Sequence, residues 1–560
     1  MQANRLVLSM LICFAAAAGE ATNLQQITVS DGVFNTVEAR YFSDGESLCF
    51  ARGPVQQKAI YCVAANASQL ADRVSPSGSR NFDLRPTDRE LYFTSRTADV
   101  SRVYRVGATA TGTAEGFGVV PSGGASVSDW VLLEDRDQAV FGLTSPQGGS
   151  VFVVNSSGPP SILPLATNLT LSTPGFLPTS EGDRIVIRNT RLISAPLSGA
   201  AATQLTTVGS ILSNESSQFV ADGRVYWLAG GSGNSDVRAY FAPLTGGGLP
   251  TLMNLQGQIS STYALRVSDN GRFACFVEIT SGTGRLTCRD FSGSGMTRDI
   301  GLYQDIFQLA VLNYFFLDDE RTLIGTTFLN GTISLIQAAA DQTDSIQALT
   351  GPAMVVQTNT AQFIPETGKI VFQGAFGGEL TWYALAPGSV DAVELISEPE
   401  SEENIEFLGY SGGADRYVFI YDANPLPSVQ RQIVAVTQDG MERRDISSSP
   451  FQNALELDSL ARPKFSADGR SIIYGDSFKP FMSPRLTRII RADLVTGART
   501  ILASFPTPVT QARGLLHLAV SPSDPDGTFV EVEDIPGGNT AAYVTYSGAP
   551  APLFADRFEP

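Results

Sequence analysis

Phe465-Ser466-Ala467-Asp468-Gly469-Arg470-Ser471-Ile472-Ile473-Tyr474 is the stretch whose reading decides the fold. It runs from an apolar residue through a polar turn into a short strand. Glycine reaches positive φ without a side-chain clash, and aspartate bonds back to its own backbone, so Asp-Gly marks a tight turn. The Ile-Ile-Tyr that follows suits a pleated, half-buried surface. The same order recurs at Phe42-Ser43-Asp44-Gly45 running to Phe50, at Phe219-Val220-Ala221-Asp222-Gly223 running to Trp227, and at Val267-Ser268-Asp269-Asn270-Gly271 running to Phe276. Weaker copies start at Leu84, Leu132, Leu177, Phe316, Phe363, Tyr410 and Val520. The anchors at 42, 84, 132, 177, 219, 267, 316, 363, 410, 465 and 520 repeat with a period of about 48 residues, close to that of a four-stranded propeller blade. Further strands follow the next polar loop, as in Ala59-Ile60-Tyr61-Cys62-Val63 and Gly149-Ser150-Val151-Phe152-Val153-Val154. No segment of the mature chain carries the 3.6-residue apolar period of an amphipathic helix.

The fold class is therefore all-β, a β-propeller. At 560 residues the chain is too long for one ordinary core unless it is a repeat array. Propellers usually hold four to eight blades, so eleven units predict two propellers in tandem, with a join after Asp299-Ile300-Gly301. Residues 22–300 then carry blades 1–6 and residues 301–548 carry blades 7–11; one large ring is the alternative. The acidic run Glu398-Pro399-Glu400-Ser401-Glu402-Glu403 reads as a solvated loop between blades or as a linker.

The Ser-x-Asp-Gly turn followed by apolar and aromatic residues resembles the TolB-type β-propeller repeat, a WD-like repeat of bacterial periplasmic proteins. The resemblance runs through nearly the whole mature chain and is sharpest in the four copies quoted in full. The proline usual in Ser-Pro-Asp-Gly is missing from most copies, and Ser521-Pro522 keeps it with an insertion. The resemblance implies a propeller and an extracytoplasmic setting. It brings no catalytic residues, because the motif is structural and such folds host many roles.

The chain ends carry their own signals. Arg5 precedes the thirteen-residue apolar run Leu6–Ala18, which small residues follow. That is the length of a signal-peptide core and short of a membrane span, so residues 1–21 read as an export signal cut before Gly19 or Thr22. Cys13 does not make a lipobox, since Ile12 stands where a small residue is needed and the cysteine lies inside the apolar run. No other stretch approaches a transmembrane segment. Residues 549–560, ending Leu553-Phe554-Ala555-Asp556-Arg557-Phe558-Glu559-Pro560, resemble the short Phe-x-Asp-Gly-Phe-Glu tails of exported Gram-negative proteins, with Arg557 at the usual glycine; a frayed terminus is the alternative.

Composition limits the chemistry. The net charge of −18 disfavours nucleic acid, whose binding needs a cationic face. A single histidine, His517, leaves almost no room for histidine-based metal or nucleophile sites. It lies in Leu515-Leu516-His517-Leu518-Ala519-Val520, an apolar strand, and reads as structural. There is no G-x-S-x-G elbow to supply a triad serine and no phosphate-binding loop. Only Lys58, Lys369, Lys464 and Lys479 are candidates for Schiff-base chemistry. Asp524-Pro525-Asp526-Gly527 has the look of a calcium turn but lacks the further acids of an EF-hand loop, and reads as a plain turn. No catalytic, cofactor-binding or metal residues are assigned. Cys49 with Cys62, and Cys275 with Cys288, are each 13 residues apart and occupy matching places in a repeat. They predict two cross-strand disulfides in an oxidising compartment; four buried thiols are the alternative. The expected function is a periplasmic or secreted scaffold binding a protein or polysaccharide partner. A glycan enzyme using channel carboxylates and a surface adhesive protein are the alternatives.

Overall fold

The computed structural model describes residues 23–28, 35–53, 58–66, 70–75, 84–86, 90–97, 100–107, 114–117, 126–133, 138–145, 148–155, 162–169, 175–179, 182–188, 191–206, 210–211, 218–230, 237–246, 249–254, 258–259, 265–280, 283–292, 295–305, 314–329, 331–397, 405–423, 430–447, 462–478, 485–507, 515–534 and 539–547. The signal at 1–21, the acidic run at 398–403, Lys479 and the tail at 549–560 lie outside these residues.

Each anchor lies in the first strand of its own antiparallel sheet or just after it, and the described residues form eleven such sheets. Blade 1 is typical: Asn35–Tyr41, Ser47–Gly53, Ala59–Ala64 and Asp72–Arg73 pair in sequence order. In blades 5, 6 and 8 the first strand is interrupted, and two short pieces pair with the same second strand. The described residues contain no helix.

The turn after each anchor is built as the sequence implies. In blade 10 the Gly469 amide donates to the Ser466 carbonyl at 2.9 Å, and the Asp468 carboxylate accepts from the Arg470 amide at 3.0 Å. Ser466 Oγ donates to Asp468 at 2.7 Å and accepts from the Ser471 amide at 3.0 Å. Blade 6 repeats the pattern with Asn270 in the aspartate's place, accepting from the Arg272 amide at 2.8 Å. Blade 7 is a degenerate copy in which Glu320 takes the left-handed position, φ 54°, that glycine fills elsewhere.

Glycines also let the turns of adjacent blades pack together. A Cβ on Gly271 would come within 2.6 Å of the Asp222 side chain, on the turn of the blade before, and one on Gly413 within 2.0 Å of the Asp468 carbonyl, on the turn of the blade after. Neighbouring turns thus nest at backbone distance. Aromatic residues fill the space between sheets. Phe50 of blade 1 lies 5.1 Å from Phe529 of blade 11, Trp227 packs between blades 4 and 5, and Tyr474 between blades 9 and 10.

The chain falls into two compact units, and they are not the tandem pair that the blade count predicted. One unit comprises Met1–Phe117 with Glu402–Pro560, the other Gly118–Ser401. The first holds blades 1, 2, 9, 10 and 11; the second holds blades 3–8. Two observations overturn a join near residue 300. That position lies inside the strand Thr297–Asp305, the last of blade 6, and one hydrophobic cluster runs across it from Phe273 and Ile300 to Leu323 and Ile336 of blade 7. The chain ends also share a sheet, since Asn23–Gln26 pairs with Asn539–Tyr546 and completes blade 11. A propeller ending near 300 would need that N-terminal strand for closure there.

Both disulfides are formed, Cys49–Cys62 in blade 1 and Cys275–Cys288 in blade 6. Each joins residues directly opposite on the second and third strands, with Cα atoms 4.1 Å apart, the close spacing of a non-hydrogen-bonded pair. All four sulfurs lie in inter-blade cores.

Candidate functional site

In the unit that holds both chain ends, first strands of consecutive blades run side by side. They line a cleft of about 450 Å³ with Glu38 and Arg40 from blade 1, Lys464 and Phe465 from blade 10, and the segment His517–Val520 from blade 11. Its polar residues come from the positions just before each anchor, where the chain has not yet reached its turn.

The wall is crossed by ordered charge. Arg40 donates to Glu38 at 3.1 Å, and the other Glu38 oxygen accepts from the Leu84 amide of blade 2 at 3.3 Å. Arg462, two residues before Lys464, pairs with Glu406 of blade 9 at 2.8 Å. Both pairs are partly exposed. Lys464 is half-buried, and among the described residues it has no carboxylate partner. Burial first, then the positive charges of Arg462 and Arg40, push its ammonium below the usual lysine range. The wall thus carries three cations against two carboxylates, in a chain of net charge −18.

Behind it lies a buried ion pair. Arg52, on the second strand of blade 1, reaches Glu531 of blade 11 at 3.5 Å, with the two side chains 6% and 0% exposed. Its guanidinium also donates to the carbonyl and, at 3.2 Å, to the hydroxyl of Thr540. His517 sits opposite Glu531 in the strand ladder, 4% exposed, with its ring edge-on to Phe529.

Other residues singled out in the sequence are placed away from this wall. Asp524 accepts from the Asp526 amide at 3.0 Å and from the Ser547 amide at 2.8 Å, and Asp526 pairs with Arg491. Both carboxylates are thus used in holding a turn to its neighbours. Among the described residues no three acidic, histidine or cysteine side chains gather as a metal site, and no helix is long and apolar enough to cross a membrane. Glu38, Arg40, Glu406 and Arg462 were not recognised from sequence. The available signal was their position, two to four residues before an anchor.

No family model matches the chain, and neither does any curated protein. Solved structures do resemble it. A prolyl endopeptidase structure aligns at 8% identity and TM-score 0.31, over 73% of this chain and 54% of that one, so this chain spans about half of that enzyme's length. A eukaryotic initiation factor aligns at 10% identity and TM-score 0.41, over 75% and 98%. An oligogalacturonate lyase in complex with manganese aligns at 9% identity and TM-score 0.29, over 84% and 97%. Likenesses this distant carry no argument about activity.

Proposed function

We propose that this chain is an exported β-propeller of TolB type that binds a partner, protein or polysaccharide, on the first-strand wall of blades 9, 10, 11 and 1 without turning it over. The observation that carries the reading is the wall itself. Its two carboxylates, Glu38 and Glu406, are each held by an arginine, which makes a fixed recognition surface rather than a pair of acids poised for proton transfer. The Ser-x-Asp-Gly turns support the repeat type. Two disulfides support an oxidising compartment, and N-terminal sequencing of exported protein should begin near Gly19 or Thr22.

The test is recovery of bound partners from the native host, comparing wild type with the charge-reversed Arg40→Glu/Arg462→Glu variant by mass spectrometry, beside a screen of glycan, ester and peptide substrates. A partner captured by the wild type and lost by the folded variant supports the reading. Turnover by the wild type that Glu38→Gln or Glu406→Gln abolishes would replace it with the glycan-enzyme alternative. Self-association through the wall would replace it with the adhesive one.

A further inference from the structure

Resting on that reading, we infer that the cleft at Lys464 is an anion site, one that takes a ligand bearing a carboxylate, phosphate or sulfate group, either free or carried on a polysaccharide chain. Arg40 and Arg462 each have one carboxylate, and those carboxylates are shared out: Glu38 divides its oxygens between Arg40 and the Leu84 amide, and Glu406 lies at Arg462. Lys464 stands among them half-buried and, among the described residues, without a carboxylate. A guanidinium offers five N–H donors, so one ion pair leaves donors on both arginines open to a ligand. Among the described residues, Arg40, Lys464 and the single carboxylate Glu38 line a cleft of about 450 Å³, a pocket of small-ligand size with one positive charge more than its own acid neutralises, and Arg462, two residues before Lys464, is paired with Glu406. The chain as a whole carries a net charge of −18, so cations grouped here stand against the general field.

The lowered ammonium of Lys464 agrees with this placement. Burial and the two arginines penalise its charge, and an incoming anion would relieve that penalty, binding more tightly as it does so. The Phe465 ring and the Leu518–Val520 segment give the cleft an apolar side, which suits a ligand whose charged group is joined to a less polar body.

The test uses the whole mature protein. Four lysines make reductive methylation with ¹³C tractable, and Lys464→Arg assigns the resonance. Inorganic phosphate, titrated at ionic strength held constant with sodium chloride, should move the Lys464 methyl signal saturably, raise the pH at which it titrates, and leave Lys369 unmoved. By calorimetry, Lys464→Met should weaken phosphate about tenfold or more, and Lys369→Met should not. Lys464→Gln serves if the methionine variant fails to fold by circular dichroism. Carboxymethyl-dextran against plain dextran separates the sources. Phosphate binding alone assigns a free small anion; binding of the carboxylated polymer, displaced by phosphate, assigns a polymer-borne group. No saturable response to either probe, or equal affinity in a folded Lys464 variant, overturns the inference. A partner captured equally by wild type and Lys464→Met would overturn it while sustaining the binding reading. Turnover of an acidic substrate that needs Lys464 would sustain the anion site and overturn the non-catalytic reading.

Discussion

Arg52→Met should be among the most damaging single changes in the molecule. Arg52 and Glu531 are 3.5 Å apart, at 6% and 0% side-chain exposure. At that separation two unit charges attract by about 1 kcal/mol in water and about 5 kcal/mol at an effective dielectric of about 20. Desolvation of both ions offsets much of this, so the intact pair contributes little net. Removing one partner leaves the other charge buried and uncompensated, at a cost of about 3–5 kcal/mol. The substitution also takes away the donors to the Thr540 carbonyl and hydroxyl, 488 residues along the chain. Because the pair joins blade 1 to the sheet that holds both chain ends, the loss should concentrate there. A chain of this size does not melt in one step, so the fitting assay is native-state hydrogen exchange on the strands Thr528–Asp534 and Asn539–Tyr546. Protection should fall by about 3–5 kcal/mol. Arg52→Met/Glu531→Leu should recover at least half of it, because no lone charge remains. For comparison, Arg224→Met, which breaks a partly exposed pair with Asp222, should cost under about 1 kcal/mol. A loss below about 1 kcal/mol for Arg52→Met, or a double variant as weak as the single, would refute the reasoning.

Three further outcomes are expected. Peptide mapping without reductant should recover the 49–62 and 275–288 links, and Cys275→Ala/Cys288→Ala should lower blade 6 stability by roughly 3 kcal/mol, the loop-closure value for a separation of this size; free thiols in the native protein would refute it. Gly271→Ala should cost about 1–3 kcal/mol, since it combines φ +68° with a Cβ 2.6 Å from the Asp222 side chain, and hydrogen-exchange protection of the strand Phe273–Thr280 unchanged from wild type would exclude the nested-turn account. Burial disfavours the charge on Asp468, but the Ser466 hydroxyl, the Arg470 amide and the Arg470 charge together hold its carboxyl below the ordinary range. A carboxyl depressed in the folded state stabilises above its unfolded value and loses that contribution as pH falls through its folded value, so acid should weaken the blade 10 turn and Asp468→Asn should flatten that acid limb in a pH series of hydrogen-exchange protection on the strand Ser471–Phe478.

The repeat was legible because its information is local. Ser466, Asp468 and Gly469 satisfy one another within six residues, so the turn can be read without knowing what lies beside it. The cysteines were legible for a related reason: a 13-residue spacing centred on a hairpin puts both partners in one register. The tandem arrangement misled because ring size is not local. Blade number predicts how many sheets form, whereas the grouping depends on which strand completes the last sheet. That strand, Asn23–Gln26, has no motif of its own. It is recognised only by its partner Asn539–Tyr546, more than five hundred residues away.

The charged wall was illegible for the opposite reason to the turns. Glu38, Arg40, Glu406, Arg462 and Lys464 share no local pattern, and in sequence they look like ordinary polar positions on short strands. The fold brings them together because each first strand places the residues before its anchor on the wall its neighbours share, and because the N-terminal and C-terminal blades belong to one unit. A propeller therefore separates its two kinds of information. The turns hold the residues that make the blade and repeat every 48 or so positions. The positions just before the anchors are free of that duty and vary from blade to blade. Residues that vary in the one to four positions before each anchor are where a propeller of this kind can differ in what it binds, and Lys464 stands immediately before the anchor of the copy whose turn is the clearest of all.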